Sequence, residues 1–366
     1  MSRQSFWWLA AFVSMLMVAV RPAQTGSIRY NIQEIPTLGG TQNFAYAIND
    51  RGDVVGSSWL AGDSSSVAFL YVSGILKSLS PLNSGAFQTV GPTGINNLGQ
   101  IASGVISNGL YTAALYDSRT NQIATLGSLG GVCCGGFSSV AVTVNGDGAA
   151  VGYSYLDSVN RHAFLYRGGS IADLGSLGGW SVAYDINENS EVVGAASDQV
   201  NGFAHAFVYR DGVMTEITPF GGPNNEGYAN GINDNGKVVG TALVLTGDAF
   251  NGFIYSNGAI SNIGTLAGGL NSEALSINNR DQVVGIADKP YRTFCVDNAG
   301  RKFRCIQYAQ RAFLYQNNVM TDLNDLLPTN SGWDLDWALD INIRGQIVGY
   351  GVKGGLHRAY VMTPRP

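Results

Sequence analysis

The chain has 366 residues, which is long enough for one large domain built from several small sheets. Only 13% of the residues are charged and the formal net charge is −5, so a nucleic-acid partner is disfavoured, because phosphate binding needs clustered Lys and Arg. Gly contributes 49 residues that recur at fixed positions, which indicates periodic turns.

The first 25 residues are typical of a secretory signal peptide. Arg3 precedes an uncharged apolar run over residues 6–20, and this run is short for a membrane-spanning helix. We expect cleavage between residues 19 and 26, and therefore a secreted protein, extracellular or periplasmic. No second hydrophobic stretch follows, so we expect no membrane span after signal removal.

The rest of the chain repeats one pattern seven times. Each copy contains Ile-Asn or a close variant, a short turn, Val-Val-Gly or similar, and a stretch like His-Ala-Phe-Leu-Tyr. The register is marked by Asn49, Asn96, Asn145, Asn187, Asn233, Asn278 and Asn342. A period of about 40–50 residues with several short strands in each unit is typical of a β-propeller.

The fourth copy shows the strand pattern clearly. Runs rich in Val, Ile, Phe and Tyr, bounded by Gly and Asn, predict strands at residues 182–187, 191–194, 205–209 and 213–217. The mature chain has no amphipathic helical pattern of ten or more residues. We therefore predict an all-β fold over residues 26–366, a seven-bladed β-propeller with four antiparallel strands per blade.

One strand is displaced along the chain. A fourth strand follows copies one to six, near Leu76, Ile123, Ile171, Met214, Ile260 and Met320. Copy seven lacks one, but an unpaired strand at residues 32–38 precedes copy one. We predict that this N-terminal strand completes the last blade, because the ring then closes without exposed strand edges.

The repeated Asn starts a four-residue turn whose last residue is Gly in five of the seven copies. A tight turn that needs a positive φ at its fourth position explains both residue types. Calcium binding is the alternative, since some turns are rich in Asp, but the turns of copies two and seven carry no acid. Residues 51–53 spell Arg-Gly-Asp, which leaves surface adhesion as an alternative function.

Turns between strands one and two are short and lie on one face of the predicted disc. Loops between strands two and three, and the crossovers between blades, vary in length and share the other face, which includes predicted loops at residues 57–66 and 288–310. Function usually resides on variable loops of a rigid scaffold, and Trp beside polar groups suits sugar rings. The candidate ligand-binding residues on this face are Trp59, Trp180, Trp333, Asp334, Asp336, Trp337, His162, His205 and His357. The competing interpretation is that each Trp covers a junction between blades.

The four Cys residues divide into two pairs. Cys295 and Cys305 lie ten residues apart in the long insertion of copy six, so we predict a disulfide there, which stabilises the loop by about 2–3 kcal/mol. Cys133 and Cys134 are neighbours, and both free thiols and a vicinal disulfide stay open. No zinc-ligand spacing occurs.

Catalytic motifs are missing from the sequence. It has no nucleophile elbow on a strand-to-helix turn and no phosphate loop or dinucleotide fingerprint in a βαβ context, so we expect no cofactor and no metal. Glycoside cleavage would need two carboxylates facing one pocket. Carboxylates on the variable face are Asp334, Asp336, Glu226, Glu273 and Asp63, but their spacing pairs none of them. A lyase would need a basic residue near Tyr or His, and only the dipeptide at residues 357–358 suggests one.

The repeat resembles the HAF family of probable extracellular repeat proteins. The resemblance rests on Leu-Gly-Ser-Leu-Gly-Gly at residues 174–179, Asp-Ile-Asn at 185–187, Val-Val-Gly at 192–194 and His-Ala-Phe at 205–207. It covers nearly the whole mature chain and implies export and repetition, with no defined activity.

These observations together predict an exported, monomeric propeller that binds a carbohydrate or a protein on its variable face. The first alternative is a carbohydrate-active enzyme, a glycoside hydrolase or polysaccharide lyase, with its site on the same face. The second is a surface adhesion protein.

Overall fold

Seven four-stranded antiparallel sheets follow one another along the chain and form a ring. This computed structural model describes residues 29–79, 93–198, 202–218, 220, 226–244, 249–296 and 301–365. The fold is an all-β, seven-bladed propeller, so the predicted fold class is confirmed. The predicted signal peptide lies outside the described residues.

Each blade contributes one strand to each of four concentric positions. The innermost strands are β2 (Gly39–Ile48), β6 (Gly94–Ile95), β10 (Ser139–Val144), β14 (Gly178–Ile186), β18 (Gly227–Ile232), β22 (Ser272–Ile277) and β26 (Trp333–Ile341). The second strands are β3 (Val54–Leu60), β7 (Gln100–Ser107), β11 (Ala150–Tyr155), β15 (Val192–Asp198), β19 (Val238–Leu243), β23 (Val283–Val296) and β27 (Ile347–Lys353).

The outer half of each blade is equally regular. The third strands are β4 (Ser66–Val72), β8 (Leu110–Asp117), β12 (Arg161–Arg167), β16 (Ala204–Arg210), β20 (Phe250–Ser256), β24 (Lys302–Gln316) and β28 (Leu356–Pro364). The outermost strands are β5 (Ile75–Ser78), β9 (Gln122–Gly127), β13 (Ser170–Asp173), β17 (Val213–Glu216), β21 (Ala259–Gly264), β25 (Val319–Asp322) and β1 (Tyr30–Glu34). The helical segments of the described residues are two short 3-10 turns, and none could span a membrane.

The N-terminal strand closes the ring. β1 pairs with β28, with Tyr30 opposite Pro364 and Glu34 opposite Tyr360. The strand ends earlier than the predicted residues 32–38. After Glu34 the chain turns towards the first blade, where the Asn43 side chain donates hydrogen bonds to the carbonyls of residues 35 and 36.

The hydrophobic core lies between neighbouring blades. Seven large buried clusters correspond to the seven blade junctions, including the junction between the seventh blade and the first. The third residue of the His-Ala-Phe triplet is a fully buried aromatic in six blades, as Phe69, Phe164, Phe207, Phe253, Phe313 and Tyr360. Burial of a side chain of this size contributes about 1.5–3 kcal/mol, so this position is a main source of stability.

No side chain fits at the Gly of the Val-Val-Gly stretch, because the backbone of the neighbouring strand lies too close to it. A Cβ at Gly194 would lie 2.0 Å from the carbonyl oxygen of Val182 and 2.9 Å from the ring of Phe207, which is its cross-strand partner. The second blade has Ser103 at this position, and its cross-strand partner is the small Ala114. The two departures from the repeat in this blade are therefore cross-strand partners.

The repeated Asn turns form a closed ring on one face of the disc. The predicted positive φ occurs at the fourth turn residue of every copy, at Gly52, Gly99, Gly148, Ser190, Gly236, Asp281 and Gly345. The Nδ2 of each Asn donates to the backbone carbonyl of the next Asn, at 2.8–3.1 Å, and Asn342 completes the ring by donating to Asn49. We call this surface the Asn-ring face, and these bonds support the structural interpretation of the repeated Asn.

The long insertion of the sixth copy is not a loop, so that prediction is wrong. β23 and β24 remain paired through fourteen residue pairs, from Val283 opposite Tyr315 to Val296 opposite Lys302. The Cys295–Cys305 disulfide is confirmed, with a Cα–Cα distance of 5.8 Å. The insertion is therefore a stapled hairpin that extends from the face opposite the Asn ring, the variable-loop face.

Candidate functional site

A cavity of about 630 Å³ opens on the variable-loop face where the sixth and seventh blades meet. We call it the rim pocket. Its lining residues are Tyr291, Tyr308, Ala309, Gln310, Arg311, Asp334, Asp336, Trp337 and His357. Four of the nine predicted ligand-binding residues thus lie in one cavity.

Charged groups meet at the centre of the rim pocket. Arg311 occupies the first position of the repeated triplet in β24, and its Nη1 lies 2.7 Å from Asp334 Oδ1 and 3.7 Å from Asp336 Oδ1. The guanidinium is mostly buried, whereas the Asp334 side chain is 53% exposed. With both carboxyl groups ionised, the centre carries one net negative charge, so it favours neutral or cationic ligands over anions.

Asp336 is the carboxyl group most affected by its surroundings. Burial raises the pKa of Asp336, and the negative charge of Asp334 raises it further, whereas Arg311 and His357 act in the opposite direction. A carboxyl group with a raised pKa can donate a hydrogen bond when protonated and accept one when ionised.

Aromatic rings form one wall of the pocket. The Trp337 indole stacks on Tyr350 with 5.7 Å between ring centroids and 17° between planes. Tyr350 also meets the edges of His357, at 6.1 Å, and Phe44, at 4.9 Å. Because Tyr350 covers one face of the indole, a ligand ring in the pocket can stack only on the other face.

A β-bulge separates Trp337 from Trp333. Leu335 pairs with Gly351 and Trp337 pairs with Tyr350, which leaves Asp336 as the extra residue. Trp333 therefore faces the core cluster, where its ring meets the edge of Tyr360 at 5.9 Å. The structure thus places Trp333 at the blade junction, outside the rim pocket.

The other two His residues are held within their own blades. His162 Nδ1 lies 2.9 Å from Asp173 Oδ1, and His205 Nδ1 lies 3.1 Å from Glu216 Oε1. Both contacts join the start of the third strand to the outermost strand. The structure does not bring these two His residues together with His357.

The remaining Trp residues also lie apart from the rim pocket. Trp180, at the start of β14, lies under the guanidinium of Arg161, 5.4 Å from the ring centroid, and Tyr153 lies 5.3 Å from the same guanidinium. Trp59 is half-buried near the end of β3, with its backbone against Gly40. Trp59 and Trp180 therefore belong to the first and fourth blades.

The other predicted carboxylates are dispersed. Asp63 accepts hydrogen bonds from Thr41, and Glu226 accepts one from Tyr228. Glu273 lines a smaller cavity of about 180 Å³, where burial raises its pKa. Of the five predicted carboxylates, Asp334 and Asp336 are the pair that lines one described cavity.

Cys133 and Cys134 are free thiols with 3.2 Å between their sulfur atoms. Burial raises the pKa of the Cys133 thiol. Within the described residues, no group of three or more His, Cys, Asp or Glu side chains could hold a metal ion.

The Arg-Gly-Asp tripeptide does not present a free carboxylate. Asp53 is buried, accepts a hydrogen bond from Asn49 and forms an ion pair with Arg51. Integrin-type recognition needs an accessible acid, so this geometry argues against adhesion through residues 51–53.

Sequence reasoning missed the residues that complete the rim pocket. Tyr291 and Tyr308 lie in the segment 288–310 that was interpreted as a loop, whereas Arg311 follows it at the start of the triplet. The first triplet position differs among the copies, so the presence of Arg311 there gave only a weak signal.

The comparisons with known proteins support the fold and leave the activity open. The family described as "Protein of unknown function (DUF3466)" matches residues 225–359. No curated protein matches the chain.

Solved structures with the same architecture are distant in sequence. The β-propeller domain of the Trilobed protease from Pyrococcus furiosus, described as having an open velcro topology, has a TM-score of 0.55 and 10% identity, covering 87% of this chain and 93% of that one. The acylaminoacyl peptidase of Pyrococcus horikoshii has a TM-score of 0.54 and 8% identity, covering 91% of this chain and 54% of that one. At this identity the likeness shows the fold alone.

Proposed function

We propose that this protein is an exported binding propeller that holds a neutral or amino sugar in the rim pocket. The observation that carries the proposal is the convergence of Trp337, Asp334, Asp336 and Arg311 on one cavity of about 630 Å³. Sugar sites combine an aromatic surface for the apolar face of the ring with polar groups that bind its hydroxyls. The net negative centre disfavours uronic acids and sulfated sugars.

Export is supported by two features of different kinds. The N-terminal sequence is typical of a signal peptide, and the Cys295–Cys305 disulfide is the kind of bond that persists in oxidising compartments. The resemblance of the repeat to the HAF family agrees with this location.

The test is a glycan-binding screen of the mature chain, followed by calorimetry with each ligand that binds. We expect neutral or amino sugars to bind, and Trp337→Ala to weaken binding at least tenfold, which corresponds to about 1.4 kcal/mol. Asp334→Asn is a second variant with little risk to folding, because this side chain is largely exposed.

Trp180→Ala is the matched control. Trp180 is also a half-buried Trp on the variable-loop face, but in another blade. We expect unchanged affinity in this variant. Equal losses from Trp337→Ala and Trp180→Ala, or a preference for acidic sugars, would contradict the proposal. The absence of any glycan ligand would leave the protein-ligand alternative.

Carbohydrate cleavage is the second candidate, because Asp334 and Asp336 both line the pocket and the pKa of Asp336 is raised. The geometry favours binding over cleavage. Both carboxylates come from β26 and contact one nitrogen of Arg311, whereas a glycosidase pair flanks the scissile bond. A reducing-end assay on each bound glycan tests this candidate, and release of sugar that Asp336→Asn abolishes would establish it.

A further inference from the structure

The hairpin of the sixth blade extends beyond the rim pocket, and this outer part carries an exposed face. In the fourth blade, β15 and β16 form six residue pairs, whereas β23 and β24 form fourteen. The eight additional pairs, from Lys289 opposite Ala309 to Val296 opposite Lys302, extend the blade by roughly 26 Å at about 3.3 Å per residue. We call residues 289–296 and 302–309 the extended hairpin.

One face of the extended hairpin alternates apolar and basic side chains. Every second pair of an antiparallel ladder points to the same side, so three successive pairs share this face. They are Arg292 opposite Ile306, Phe294 opposite Arg304, and Val296 opposite Lys302. The apolar members are strongly exposed: Phe294 is 66%, Ile306 60% and Val296 59% accessible.

The charge of the hairpin is opposite to that of the protein. Residues 289–306 contain five basic residues and one acidic residue, whereas the whole chain has a net charge of −5. The tip extends further from the blade than the Debye length of about 10 Å at 0.1 M salt, so repulsion from the acidic body is screened there.

We propose that this face docks on a bilayer containing anionic lipids. Phe294, Val296 and Ile306 enter the boundary between headgroups and acyl chains, while the adjacent Arg and Lys side chains reach the phosphates. The Cys295–Cys305 disulfide links the two strands within this region, so the face is ordered before contact.

The arrangement fits a lipid surface better than a protein partner. A protein interface separates an apolar core from a polar rim and uses about 20–30 residues on each side. Here the face consists of six side chains, and each apolar side chain is paired with a basic side chain on the opposite strand. A lipid interface accepts this pattern, because flexible basic side chains bend towards the headgroups.

Vesicle flotation tests the proposal with the mature protein. We expect binding to phosphatidylcholine vesicles that contain one quarter phosphatidylglycerol, and a steep loss of binding as salt rises. Each removed cation should lower the partition coefficient about fivefold, since a basic residue near an anionic surface contributes about 1 kcal/mol. Arg292→Gln with Arg304→Gln should therefore reduce partitioning about 25-fold, and Phe294→Ser with Ile306→Ser should reduce it at least tenfold.

Val159→Ser and Arg167→Gln are the controls. Val159 is 78% exposed on the variable-loop face of the third blade, and Arg167 is an exposed cation at the end of β12. Both variants should float like the parent protein. Equal binding to pure phosphatidylcholine, equal losses in the controls, or binding to a soluble polyanion without flotation would each overturn the proposal.

Discussion

The ring of Asn side chains predicts a graded loss of stability when its members are truncated. The Oδ1 of Asn187 accepts hydrogen bonds from the backbone N–H groups of Asn189, at 3.1 Å, and Glu191, at 2.9 Å. Its Nδ2 donates to the Glu191 carboxylate, at 2.6 Å, and to the carbonyl of Asn233, at 3.1 Å. A hydrogen bond contributes about 1 kcal/mol net, so Asn187→Ala should lower the free energy of unfolding by about 4 kcal/mol.

Asn145 provides the comparison within the same ring. Its side chain donates to the carbonyl of Asn187, at 3.1 Å, and accepts from the N–H of Ala149, at 2.9 Å. Two bonds in place of four predict a loss of about 2 kcal/mol for Asn145→Ala. Both variants break one link between blades, so the difference between them measures the bonds within the turn.

Urea unfolding followed by Trp fluorescence measures both losses, with the slope against urea compared among variants. Asn189→Ala is the control, because this Asn is exposed in the same turn and its side chain makes one exposed hydrogen bond, to the carbonyl of Asp234, so its loss should stay at or below about 1 kcal/mol. The reasoning fails if Asn187→Ala costs no more than Asn189→Ala, or if Asn145→Ala costs more than Asn187→Ala.

Three further predictions concern the scaffold. Gly194→Ala should strongly lower the urea midpoint of unfolding, because the added Cβ would lie 2.0 Å from a backbone oxygen. Ser103→Ala, at the same repeat position in the second blade, should leave the midpoint unchanged. Equal midpoints for the two variants would refute the steric argument. Burial raises the pKa of Asp185 to about 7, above the value of 3.8 for an ordinary Asp, so its contribution to stability is full below pH 3.8 and is lost as the pH rises through 7. In the parent protein the unfolding free energy should therefore fall between pH 4 and 7, and Asp185→Asn should reduce the slope of this fall by up to about 1.4 kcal/mol per pH unit. Unfolding curves at several pH values measure the slope, and an unchanged slope in the variant would contradict the prediction. Replacing Cys295 and Cys305 by Ala should increase proteolysis in the hairpin, whereas the melting temperature of the protein should change by no more than about 2 °C. The reason is that the disulfide closes a segment outside the blade cores. A large fall in melting temperature would show that the hairpin stabilises the ring.

The scaffold could be predicted from the sequence because the same strand pattern and the same packing between neighbouring blades recur in each copy of the repeat. The N-terminal strand was assigned to the last blade by counting, since a ring leaves no edge strand and copy seven lacked its fourth strand. The boundary error at residues 32–38 arose from hydrogen bonds of Asn43, which draw the chain after Glu34 towards another blade. These bonds join residues seven and eight positions apart that belong to no repeated motif, so the periodic pattern did not indicate them.

The departures from the repeat carry information of two kinds. Ser103 and Ala114 both depart from the repeat and are cross-strand partners within one blade. The first triplet position differs among the copies, and the guanidinium of Arg311 at this position reaches Asp334 in the next blade. At the same position His162 and His205 contact carboxylates of their own blades, so the contact that forms the rim pocket follows from the neighbouring blade as well as from this residue.

The rim pocket depends on a single bulge that the sequence pattern hides. If side chains alternated strictly along this strand, Trp337 would face the same core cluster as Trp333 and Leu335. The sequence alone would then predict an ordinary strand packed at a blade junction. The extra residue, Asp336, reverses the alternation and directs Trp337 to the cavity, while leaving Trp333 in the core. The same bulge places a carboxyl group with a raised pKa beside the indole, so the two features that suit a sugar ligand have one structural origin. Deletion of one residue at the bulge would remove both the indole and this carboxyl group from the cavity. The chemistry of the rim pocket therefore depends on the backbone register of this strand as much as on its residue types.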